Sequence, residues 1–239
     1  MKLILTHIRK PASVLVFVLL TSLGFTQQPS KDELLGKFEP ASHPDFALVD
    51  QAHANRSGLF LRKETLASFI AMKLAADSAN VKLVIISATR NHSYQKGIWE
   101  KKWKREKYAG WSDLNKAKDI LTYSSMPGTS RHHWGTDLDM NSLEPGYFRT
   151  GDGKKTYDWL VSNAARFGFC QTYTNKSKGR TGYSEEAWHW SYFPLSQGYL
   201  EAYNQLINYQ DIEGFSGSAQ AEPLRVIESY VNGIECDSK

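Results

Sequence analysis

The β-type runs of this chain are short and far apart, and the helix-patterned segments between them follow no regular strand–helix alternation. Residues 81–89, VKLVIISAT, are a β-branched run that reads most simply as a buried strand. FCQTY (169–173) and AWHWSYF (187–193) read as two more strands. Residues 59–78 place apolar residues at helical spacing, and 93–108 read as an amphipathic helix with Ile98, Trp99 and Trp103 inward. A short helix is predicted over 115–123, and a longer one over 154–168 with Gly168 in the stop position. Residues 196–213 and 222–233 look helical, joined by a turn around GFSGSAQ. A doubly wound parallel sheet needs regular alternation, so the pattern predicts an α+β fold with an antiparallel sheet.

The 239 residues suit one domain with appendages, and 41% hydrophobic with 13% aromatic content is ample for a core. Lysine plus arginine (29) against acids (25) leaves +4, and Lys2, Arg9 and Lys10 supply three of those charges. Without them the chain is close to neutral, at about +1, which leaves no nucleic-acid footprint. Residues 1–26 read as a secretory signal: a basic start, then the uncharged run ASVLVFVLLTSLGF. That run is shorter than the roughly 20 residues of a spanning helix, and an uncleaved anchor is the alternative. No later segment has the length and hydropathy to span a membrane. Residues 27–58 follow as a polar N-terminal segment, and 196–239 as a helical C-terminal extension. Two cysteines, Cys170 and Cys236, form a disulfide in an exported chain or stay as thiols. A four-cysteine zinc site is excluded by count, so any metal must use histidine and carboxylate. All seven tryptophans lie between Trp99 and Trp190, which suits an aromatic-walled cleft or simply a filled core.

Three stretches carry chemistry. SRHHWGTDLDM (130–140) concentrates two histidines and two aspartates around Gly135. His132 and Asp139 have odd spacing, so they share a face only if the chain bends, and Gly135 permits a bend. His133 and Asp139 share a face without one, so spacing does not choose between the histidines. SEEAWHWSYF (184–193) sets His189 between two tryptophans, with Glu185 and Glu186 upstream. A histidine there is a packed core residue, or a metal ligand with a carboxylate base beside it, as metal-assisted hydrolysis requires. SATRNHSYQKG (87–97) places Arg90 just past a strand end, as a surface cation or as a guanidinium aimed at a substrate oxygen.

These residues resemble a known family. SRHHWGTDLD fits the Ser-x-His-x-x-Gly-x-x-x-Asp pattern of the zinc D-alanyl-D-alanine carboxypeptidases and dipeptidases associated with vancomycin resistance. EAWHW fits that family's Glu-x-Trp-His motif, and TRNHSYQ resembles its arginine segment, in the family's order over residues 60–195. The resemblance implies a catalytic domain over 59–195. It implies a small antiparallel sheet flanked by helices, with a zinc site in a cleft on the sheet, as in lysostaphin-type peptidases and the hedgehog domain. It makes His132, Asp139 and His189 the ligands of one zinc ion, Glu186 the base, and Arg90 the group that polarises the scissile carbonyl. Ser130 and Gln95 match substrate-holding positions, and Trp188 shapes the pocket wall. Asp137 departs from the pattern, standing where a small apolar residue is common.

The expectation is an exported, periplasmic, monomeric zinc D,D-carboxypeptidase. It trims the terminal D-alanine from peptidoglycan stem peptides, with no nucleic-acid partner and no membrane attachment after signal cleavage. The alternatives are an L,D-carboxypeptidase or peptidoglycan endopeptidase of the same family, and a zinc-stabilised wall-binding module without turnover.

Overall fold

The computed structural model describes residues 28–236. The signal read over residues 1–26 lies outside them. Among the described residues no helix is long and apolar enough to cross a membrane. Six helices, α1 (Lys31–Leu34), α2 (Lys63–Ser78), α3 (His92–Trp103), α4 (Asp113–Ile120), α5 (Gly151–Asn163) and α6 (Phe193–Leu206), surround two sheets. The smaller sheet pairs β1 (Phe46–Leu48) antiparallel with β2 (Phe60–Arg62). The larger joins β3 (Ile85–Ser87), β4 (Asp137–Met140), β5 (Phe169–Gln171) and β6 (His189–Tyr192) in the order β3-β4-β6-β5, antiparallel throughout. The α+β expectation holds.

The larger sheet separates core from cleft through the period-two alternation of its side chains. Leu138, Met140, Trp190, Phe169 and Ile85 enter a core shared with Leu66, Phe69 and Met72 of α2 and Leu160 of α5. Asp137, Asp139, His189 and Ser191 take the opposite face, with Asp139 across from His189 and Asp137 across from Ser191.

Several boundaries differ from the sequence reading. Residues 60–62 are a strand, because their backbone pairs with β1, and the helix begins at Lys63. The strand in 81–89 shrinks to Ile85–Ser87, although Val81 and Leu83 stay buried. The helix over 154–168 ends at Asn163 and continues as a 3₁₀ turn to Phe167, with Gly168 left-handed at φ 77° as its stop. Trp99 is fully buried, while Ile98 and Trp103 are half-buried. The extension after residue 196 is only partly helical: α6 ends at Leu206, and the rest consists of short 3₁₀ turns and one π-helical turn, Ile227–Val231. The cause is that its apolar residues serve two clusters. Ile212, Phe215 and Val226 pack with Trp99, whereas Ile207 and Val231 pack with Leu34, Leu35 and Trp134. A straight helix cannot reach both.

Cys170 on β5 and Cys236 are disulfide-bonded across 66 residues, which ties the tail to the sheet edge. Gly135 makes the bend that the motif demands. Residues Arg131–Trp134 form a 3₁₀ turn, and Gly135 (φ 74°) leads into β4 through a left-handed conformation. A Cβ there would lie 2.3 Å from the Phe46 ring.

Gly135→Ala combines backbone strain with overpacking and should cost at least about 2 kcal/mol in urea unfolding; an unchanged midpoint would show that the bend tolerates a side chain. Replacing both cysteines by serine should cost about 2–4 kcal/mol, given the long loop the bond closes. Equal melting temperatures for this variant and the parent would show that packing alone holds the tail.

Candidate active site

The polar face of the larger sheet forms the floor of a cleft of about 440 Å³. All eight residues singled out in the sequence line it: His132, Asp139, His189, Glu186, Arg90, Ser130, Gln95 and Trp188.

Three ligand-capable side chains converge on the floor. His132 and His189 each present one ring nitrogen, and Asp139 one oxygen, all within 4.8 Å of one another. His132 Nε2 lies 3.3 Å and His189 Nδ1 3.1 Å from Asp139 Oδ1. Tetrahedral ligands at 2.0–2.1 Å from an ion sit about 3.3 Å apart, so the spacing suits zinc. The opposite ring nitrogens are already engaged. His132 Nδ1 donates to the Ala88 carbonyl at 2.8 Å, and His189 Nε2 to Asp137 Oδ2 at 2.9 Å. This is how metal-bound histidines are generally oriented. His132 Nε2 and Asp139 Oδ1 are both buried without a hydrogen-bond partner. Two lone-pair acceptors facing each other in a dry site call for a cation between them.

The neighbouring His133 has a different task. Its Nδ1 donates to the Arg90 carbonyl at 2.6 Å, and its Nε2 accepts from the Gly128 N–H at 3.1 Å. Both nitrogens are used, the ring is fully buried, and burial pulls its pKa down to about 3. The choice left open by spacing is therefore decided by which histidine keeps a free nitrogen in the cleft.

Charge in the site is concentrated and paired. Against the cost of burial, the His132 and His189 rings hold the Asp139 carboxyl well below the usual carboxylate range. Burial works to lower the His189 pKa, but Asp137 and Asp139 override it and bring it up to about 9 in the metal-free protein. Burial pushes the Glu186 carboxyl up to about 8, aided by Asp139 and opposed by His189 and Arg90. Glu186 Oε2 is 3.7 Å from His189 Nδ1, beside the ligand triad. Arg90 extends from the loop after β3, with Nη1 on Ser87 Oγ at 3.0 Å and 3.5 Å from Asp139 Oδ2. Its Nε is buried without a partner. Gln95 Nε2 donates to the Ser125 carbonyl, which leaves its Oε1 unpartnered, as is Ser130 Oγ. Trp188 lies between the rings of Phe148 and Tyr123 as one wall.

Sequence reasoning missed the support behind the triad. Arg131 is 1% exposed, and its Nε pairs with Asp137 Oδ2 at 3.1 Å. Thr136 and Ser191 hydroxyls both donate to Asp137 Oδ1 at 2.7 Å. Asp137 thus orients His189 and is itself held from three sides. The signal was available: Asp137 and Asp139 are two apart on a strand, so they share a face.

Comparison with known proteins gives a consistent placement. Residues 58–195 match the family model for VanY, D-alanyl-D-alanine carboxypeptidase. A D-alanyl-D-alanine carboxypeptidase of Enterococcus faecalis is 32% identical over 118 residues, covering 49% of this chain and 42% of that relative. The chain thus spans less than half the length of that relative. Among solved structures, VanYB in complex with D-alanine-D-alanine is similar with a TM-score of 0.51 at 25% identity, covering 69% of this chain and 87% of that one. A vancomycin-resistance D,D-pentapeptidase VanY in complex with Zn(II) shares the fold, with a TM-score of 0.50 at 24% identity over 70% of this chain and 89% of that one. With the family model matching more than half of its length, the chain belongs to the VanY family of D-alanyl-D-alanine carboxypeptidases.

Proposed function

We propose that this protein is an exported zinc D,D-carboxypeptidase that removes the terminal D-alanine from peptidoglycan stem peptides. One observation carries the reading: three orphaned or oriented ligand atoms of His132, Asp139 and His189 converge beside a buried carboxyl, Glu186, inside a peptide-sized cleft. VanYB binds D-alanine-D-alanine, and a second protein of this fold holds Zn(II), which agrees with the substrate and the metal. The Cys170–Cys236 disulfide suits an oxidising compartment outside the cytoplasm.

Zinc held by His132, Asp139 and His189 would supply a Lewis acid that makes water nucleophilic near neutral pH and polarises the scissile carbonyl. Glu186 accepts the proton of the attacking water and passes it to the leaving amine of D-alanine. Its enclosure keeps that proton from bulk solvent. Arg90 turns its free Nε–H toward the carbonyl oxygen as negative charge grows there. Because Ser87 and Asp139 brace the guanidinium, little reorganisation is needed. Gln95 Oε1 accepts a peptide N–H, Ser130 Oγ offers a further hydrogen bond, and Trp188 lines the wall for the small alanine side chains. A wall-binding module without turnover has no use for Glu186 and Arg90 in these positions.

Glu186→Ala should lower kcat about 10²–10⁴-fold while zinc stays bound, since the residue acts as base and not as ligand. D-Alanine release from a pentapeptide ending in D-Ala-D-Ala, with zinc content measured alongside, checks this; a variant with parental turnover removes Glu186 from the mechanism. Release of a different fragment by the parent would point to the L,D-carboxypeptidase or endopeptidase reading. Zinc must displace the proton that His189 holds up to about pH 9. Zinc affinity should therefore rise as pH increases from 6 toward 9, and binding near pH 7 should release protons. Chelator competition across that range, or calorimetry in buffers of different ionisation enthalpy, measures both; pH-independent affinity would contradict the ligand set.

A further inference from the structure

Besides the histidines, one lysine and two arginines among the described residues line the cleft, and the arginines have carboxylates of their own: Arg90 lies against Asp139, and Arg131 is paired with Asp137. The third, Lys102, forms no ion pair among the described residues and hydrogen-bonds the Ser124 hydroxyl. It is half-buried, unlike its exposed helix neighbours Lys101 and Lys104. Gln95, Ile98 and Lys102 sit at i, i+3 and i+7 on α3, so one helix face presents all three to the cleft. Ser124, Ser125 and Ser130 add hydroxyls to the same lining. Burial, with Arg105 and Arg90 adding repulsion and the Glu186 carboxyl opposing them from a distance, lowers the pKa of the ammonium. Keeping an amine there without a carboxylate in contact is unfavourable, and an anionic ligand would offset that cost.

We propose that Lys102, backed by Ser124, seats the C-terminal carboxylate of the peptide substrate and so selects free chain ends over internal bonds. This rests on the carboxypeptidase reading. The carboxylate of the leaving D-alanine is one residue from the scissile carbonyl, and the same cleft of about 440 Å³ contains both the ligand triad and Lys102. Arg90 is not the better candidate, because Ser87 and Asp139 hold it beside the triad, where the carbonyl oxygen reacts. Lys102 has no such anchor in the triad, and its ammonium can meet a carboxylate with a charge-assisted hydrogen bond.

The experiment compares two peptides, one ending in D-Ala-D-Ala as the free acid and the other as the C-terminal amide. Each is assayed with the zinc-loaded parent, Lys102→Met and Lys102→Arg, with zinc content and melting temperature recorded for every protein. The parent should prefer the acid. Lys102→Met should raise KM for the acid and lower its kcat/KM about 10–100-fold, the usual worth of a hydrogen bond to a charged group. It should leave the amide nearly unchanged, and Lys102→Arg should restore part of the preference. Equal use of acid and amide by the parent would overturn the assignment whether or not the variants fold. Retention of the acid preference by Lys102→Met, or an equal loss on both peptides, would overturn it too. A parent that releases neither D-alanine from the acid nor D-alaninamide from the amide would sink the carboxypeptidase reading itself, and the Lys102 assignment with it.

Discussion

Antiparallel pairing of β4 with β6 sets Asp139 opposite His189 and Asp137 opposite Ser191, while Leu138, Met140 and Trp190 enter the core on the other face. Core and site are thus two sides of one register. A slip by a single residue would carry the apolar side chains into the cleft and the carboxylates into the core. The remaining ligand, His132, reaches the triad because the 3₁₀ turn and Gly135 return the chain next to β4, and because Ala88 holds its ring from behind.

Such a concentration of buried charge is tolerable only when each group has a partner. Asp137 is met by Arg131, His189, Thr136 and Ser191, and this arrangement turns the His189 ring so that Nδ1 faces Asp139. In the metal-free protein the proton on His189 supplies positive charge where the ion would supply it. Zinc held by the triad would take the place of that proton, with the surrounding carboxylates neutralising either. Glu186 lies at the edge of this network, 3.7 Å from His189 Nδ1. Among the described residues no hydrogen bond from a cation fixes its side chain, and burial makes it a better proton acceptor than a solvent-exposed carboxylate.

The chain after α6 braces the opposite wall. The Trp99 indole of α3 donates to the Ser216 carbonyl, and Ser216 in turn hydrogen-bonds Glu100. Phe215 packs against Trp99, and the disulfide returns the tail to β5. Helix α3 carries Gln95 and Lys102 into the cleft, so the tail supports the wall where the substrate's end would lie. The N-terminal segment contributes similarly from the other side: β1 pairs with β2, and α1 packs with Trp134 beside the motif turn.

The α+β class was legible in the sequence from local periodicity, and the eight residues first singled out for the cleft from three short stretches and their resemblance to the family's motifs. Alternation and helical spacing reveal elements, and the motif residues cluster in three short stretches. His132 over His133 was not decided by spacing. Only the fold shows that His133 spends both nitrogens on Gly128 and Arg90. The strand at 60–62 was read as helix because its partner, β1, lies more than ten residues upstream. Asp137 stood out only as a departure from the family's pattern, and neither Arg131 nor Lys102 was singled out. Their roles depend on which side chains stand opposite them across the sheet or the cleft. The sequence by itself determined which chemical groups were available and in what local order. The tertiary structure decided which of them kept a free atom in the cleft, because hydrogen bonds between residues distant in the chain consume the others.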